Sequence, residues 1–116
     1  MKIAYLGLDE VNRFFTSKWA RRMDAGVTFV DVQEQSVSPR CPVVVVDLDS
    51  LPATHRQRWI GWLTSCARET PALVFGHTVS DEESANLRGS GVRVVQRTLR
   101  AGMLHRFIEQ EIGCAA

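Results

Sequence analysis

A few side chains stand where an α/β chain can do chemistry. Asp47 closes a run of four valines at 43–46, and Asp49 and Ser50 follow it at once. Asp9 and Glu10 end the apolar run 3–8, and His77 follows the apolar segment 71–76. Carboxylates at the ends of buried strands can ligate a divalent cation or act as nucleophiles. In open α/β sheets that edge is where sites are built. Asp9, Asp47 and Asp49 therefore form a candidate acid cluster, with His77 at the same predicted edge. The competing reading is structural: Asp47 accepts backbone N–H bonds in its own turn, and Asp49 helps to cap the helix that follows.

Other chemistries lack their patterns. Ser50, His77 and Asp47 have the residue types of a hydrolase triad, but no G-x-S-x-G elbow is present. No G-x-G-x-x-G or phosphate-binding loop occurs. His55, His77 and His105 have no metal-ligand spacing. Cys41, Cys66 and Cys114 are odd in number and contain no C-x-x-C, so neither a zinc site nor a disulfide framework is expected. A reducing cytoplasm suits such a chain. Its 116 residues carry a net charge of +1, which gives no basic field for direct nucleic-acid binding. No segment reaches transmembrane length, so no membrane contact is expected.

The elements that must position these residues follow from pattern. Hydrophobic content of 45% with 23% charge fits one globular domain over 1–116. Strands are expected at 3–8, 27–32, 43–47, 71–76 and 92–96. The unbroken valines mark a strand buried on both faces. Asp9 and Glu10 open a helix carrying Val11, Phe14, Phe15, Trp19 and Met23, which Gly26 stops. Ser50 and Pro52 start a helix over 53–68, with Trp59 and Trp62 on one ridge and Ile60 and Leu63 on another. Ser80 and Glu83 form a capping box before a short helix with only Ala85 and Leu87 to bury, expected to be weakly held. Thr98 caps a last helix bearing Met103, Leu104, Phe107, Ile108 and Ile112. Segment 33–41 is too short and poorly patterned for a helix. Strands alternating with helices predict a three-layer, doubly wound parallel sheet of five strands in the order 2-1-3-4-5, with the helix between strands two and three shortened or missing.

On Asp47 after the third strand, "PALVFGHT", "SDEE" and Arg97 after the fifth strand, the chain resembles the receiver domain of bacterial two-component response regulators. The resemblance implies a phosphoacceptor at Asp47 and a weak Mg²⁺ site of Asp9 and Asp47. It implies phosphate contacts from His77 or Thr78 and from Arg97, where the family has a Ser or Thr and a Lys. The match departs from the family pattern. Leu8, or Gly7 and Leu8, replace members of the acid pair, Gly76 or His77 falls at the hydroxyl position, and Arg97-Thr98 replaces Lys-Pro. Arg is no equal substitute for a compact ammonium. The expectation is a degenerate receiver, not an enzyme and without a resident cofactor. It would act through a protein partner (a kinase, an output domain or a regulator), with a homodimer as one option. Trp59, Trp62 and segment 33–41 are the expected contact surface, uncovered by the missing helix. Arg88, Arg93, Arg97, Arg100 and Arg106 read as a solvated charged face. The alternatives are a working phosphoacceptor at Asp47, a small flavodoxin-like ligand or nucleotide binder, and a domain of a longer transcription regulator.

Overall fold

The structure, a computed structural model, describes residues 1–38, 41–66 and 68–111. Strands β1 (Lys2–Leu6), β2 (Gly26–Phe29), β3 (Val43–Asp47), β4 (Ala72–Phe75) and β5 (Arg93–Val95) form one parallel sheet in the order β2-β1-β3-β4-β5. Helices α1 (Glu10–Arg21), α2 (Ala53–Cys66), α3 (Asp81–Gly89) and α4 (Ala101–Glu111) connect and cover it, and a 3-10 turn spans Leu48–Ser50. This is the expected doubly wound topology. Among the described residues no helix is long and apolar enough to cross a membrane.

Alternation along the strands makes two cores. Ala4, Leu6, Val44, Val46, Ala72 and Val74 face one way and pack with Trp59, Ile60 and Leu63 of α2 and Leu87 of α3. Ile3, Tyr5, Val43, Val45, Leu73 and Phe75 face the other way and pack with Ala20 of α1 and Leu104, Phe107 and Ile108 of α4. All five residues of β3 are buried, as its valine run implies.

Among the described residues, no helix lies between β2 and β3. The connecting chain takes the helix's place instead. Val32 and Cys41 are buried in the α2-side core, with Val30 and Val37 packed against it. The Trp59 indole N–H donates to the Val32 carbonyl at 2.8 Å, and the Arg58 guanidinium donates to the carbonyls of Val32 and Glu34. Trp59 is 1% exposed, which corrects the expectation that it presents a contact surface. Trp62 is half-buried and meets Trp59 edge-on, with ring centroids 5.6 Å apart.

Several local expectations also change. Gly26 begins β2; the left-handed residue after α1 is Asp24, at φ 56°. Ser50 does not cap α2 but lies in the 3-10 turn, and Asp49 bonds to the β4 side of the sheet rather than to α2. Thr98 bonds to His77 instead of capping α4. On α3 the capping box of Ser80 and Glu83 is present, but Ser84 is buried where Ala85 was expected. Ile112 lies outside the described residues. On α1 the small Thr16 and Ala20 face the sheet, letting the helix lie close, while Val11, Phe14 and Phe15 are turned out.

Candidate functional site

β3 carries Asp47 to the carboxyl edge of the sheet, but the chain then folds over it. Asp47 is 1% exposed. Its Oδ2 accepts from Asn12 Nδ2 at 2.9 Å, and the backbone N–H of the same Asn12 donates to Asp9 Oδ1 at 2.9 Å. Asn12 thus joins the two acids from the first turn of α1, where Asp9 is the N-cap. Ser50 Oγ donates to the Asp47 carbonyl at 3.1 Å and accepts from Leu8 N at 2.8 Å, tying the ends of β1 and β3 together. Burial raises the Asp47 carboxyl above its ordinary value, opposed by the Asn12 bond and the Ser50 hydroxyl and reinforced by the charges of Asp49 and Asp9. Burial and then the Asp47 charge push the Tyr5 phenol up, opposed by the Thr16 side chain.

Two glycines show how closed this edge is. A Cβ at Gly7 would lie 2.8 Å from Asp47 Cβ and 3.1 Å from Ser50 Oγ. A Cβ at Gly76 would lie 2.6 Å from Asp49 Oδ1. A second carboxylate after β1 at position 7 therefore has no room in this backbone, and a side chain at position 76 would have to displace the Asp49 carboxylate. Leu8, the other candidate acid position, is a half-exposed leucine.

Asp49 belongs to a separate network. It accepts from the His77 N–H at 2.7 Å, the Thr78 N–H at 2.8 Å and Thr78 Oγ1 at 2.5 Å. Burial opposes its charge, but these bonds outweigh burial and hold the carboxyl below its ordinary value. Arg56 closes the network: it donates to Thr78 Oγ1 and the Thr78 carbonyl, and its fork grips Glu83 at 2.8 and 3.0 Å. That grip, against a smaller burial cost, lowers the Glu83 carboxyl to about 2. His77 is exposed, with Nε2 2.8 Å from Thr98 Oγ1. Arg97 lies in a third place, on a groove beside β5 and α4.

The sequence candidates are therefore dispersed. Asp9 and Asp47 meet through Asn12, Asp49 gathers His77 and Thr78, and Arg97 stands apart. Sequence reasoning missed Asn12, Arg56 and Glu83 as partners. Glu83 was visible as a capping residue, whereas Asn12 and Arg56 left no such mark. Magnesium requires near-octahedral oxygen ligands. Here one acid is a helix cap, the other is bonded to an amide, and the described residues contain no group of three or more His, Cys, Asp or Glu side chains that could hold a metal ion. The residues present do not fit the Mg²⁺ site.

No protein-family model and no curated protein matches the sequence. Solved structures match over nearly the whole chain. A response regulator receiver protein from Pseudoalteromonas atlantica superposes with a TM-score of 0.79 at 12% identity, covering 100% of both chains. A two-component response regulator from Clostridium difficile gives 0.76 at 11% identity, covering 97% of this chain and 96% of that one. The chemotaxis protein CheY4 of Vibrio cholerae gives 0.71 at 15% identity, covering 96% and 98%. With its strand order, crossovers and edge aspartate, the chain has the fold of response regulator receiver domains.

Proposed function

We propose that this chain is a receiver-fold signalling module that works by contact with a protein partner and does not use Asp47 as a metal-assisted phosphoacceptor. The observation that carries the reading is the closed edge: Asp47 is buried against Asn12, and position 7 has no space for the carboxylate that would complete a cation site. Phosphoryl transfer to a carboxylate needs a charge-neutralising cation and an open line of approach. Neither need is met by Asn12, Leu8 and Gly76.

Contact with a protein is supported by the exposed face of α1. Val11 and Phe14 are each 62% exposed and Phe15 is 41% exposed, and helical spacing places the three side by side. The Phe14 and Phe15 rings meet edge-on, and Phe15 stacks on Trp19. Contiguous exposed apolar surface of this kind marks association sites.

The reading is tested with acetyl phosphate and Mg²⁺ followed by intact-mass measurement, and with beryllofluoride and Mg²⁺ followed by amide NMR. The expected result is unchanged mass and unchanged amide positions around 8–12, 47–50 and 76–78. Stoichiometric modification at Asp47, or a mimic-induced shift of those amides, would overturn it.

A further inference from the structure

Away from the Asp47 edge, β5 ends the sheet, and a groove of about 510 Å³ opens between it, α3 and α4. That is the size of a small-molecule site. Its floor is apolar, from Leu73, Val95, Met103 and Phe107. Its rim is cationic: Arg88, Arg93, Arg97 and Arg106, four of the 14 basic residues of a chain whose net charge is only +1.

The four arginines fall into two classes. Arg88 donates to the Val94 carbonyl at 3.0 Å, and Arg93 bonds to Gln110, pairs with Glu111 at 3.5 Å and lies 5.8 Å from the Phe107 ring centroid. These two are walls. Arg97 and Arg106 are exposed and make no hydrogen bond or ion pair among the described residues. Two free guanidiniums beside two fixed ones repel one another until an anion enters, and the planar fork of Arg matches a phosphate bidentately. The apolar floor, with a cation stacked on an aromatic ring at its side, suits a flat organic body. A peptide strand added to the β5 edge fits less well, because Arg88 already occupies the Val94 carbonyl.

We propose that this groove binds a nucleotide-like organic phosphate, with Arg97 and Arg106 holding the phosphate and the flat portion lying over Met103 and Phe107. The proposal stands apart from the Asp47 reading and does not depend on it.

The test is amide NMR titration of the full chain with AMP, GMP, a cyclic dinucleotide and inorganic phosphate, at about 0.15 M salt so that unspecific charge attraction is screened. At least one nucleotide should saturate and shift the amides of Val95, Arg97 and Met103. Arg97→Ala with Arg106→Ala should weaken that binding by roughly tenfold or more, against less than about twofold for the control pair Arg21→Ala with Arg22→Ala. Inorganic phosphate should bind roughly tenfold more weakly than the best nucleotide, because it leaves the floor uncovered. No saturable nucleotide binding up to about 5 mM, equal affinity for inorganic phosphate, or equal losses in the two variant pairs would each overturn the proposal.

Discussion

Asp47 stands at the end of the central strand, buried and bonded to Asn12. Its folded-state carboxyl is raised, so the folded protein binds its proton more tightly than the unfolded chain does. The stability this contributes is fully present below the ordinary carboxylate value of 3.8 and is lost as pH rises through the folded value. Asp47→Asn should therefore match the parent near pH 3 and exceed it in stability at neutral pH. Urea unfolding of both proteins at the two pH values measures this, and a variant that is less stable at neutral pH would contradict it. The valine run made the placement of Asp47 legible, since it identifies a central strand and hence the sheet edge. Its company was not legible. Asn12 is 35 residues away in sequence, and nothing in its neighbourhood distinguishes it from an ordinary polar helix residue.

Between elements, a bidentate polar tie joins α2 to α3. Arg56 and Glu83 are each 16% exposed and bond through two N–H groups, while Glu83 also completes the capping box. A short helix with little to bury is thus anchored at its first turn, where sequence reading expected weak attachment. Glu83→Gln should cost roughly 1–2 kcal/mol at neutral pH, the range for a charge-assisted bond to a partly buried partner. Because the folded carboxyl is lowered to about 2, the parent's advantage is present above the ordinary value of 4.5 and is lost as pH falls through about 2. Thermal melts from neutral pH downward should show the two proteins converging, and a gap that stays constant would contradict the assignment. Helix number was readable from periodicity, and strand order from the alternation of strands with helices and the handedness of their crossovers. The buried face of α1 was not, because its large apolar residues form a helical stripe as good as any core stripe. The small Thr16 and Ala20 set the close approach instead. The tie from Trp59 and Arg58 to backbone carbonyls was equally hidden, since a carbonyl acceptor leaves no mark on the sequence.

For the whole molecule, the two surfaces should separate in experiment. Phe14→Ser changes a largely exposed side chain, so its melting point should stay within the shift expected of about 0.5 kcal/mol, as for most surface substitutions. Capture of the protein partner should nevertheless be lost. Pull-down beside a thermal melt tests this, and a variant that melts normally and binds normally removes α1 from the contact. The arginines around β5 were visible as a cluster but read as a solvated face, because a groove exists only once β5 is known to end the sheet. The closeness of Gly7 to Asp47 bears on which descendants of this sequence can be reached one substitution at a time. With the ends of β1 and β3 drawn together, an aspartate at position 7 meets Asp47 Cβ before it can meet a cation. A path that adds the carboxylate at position 7 must first widen that gap, a step that gives up packing and brings no chemistry of its own.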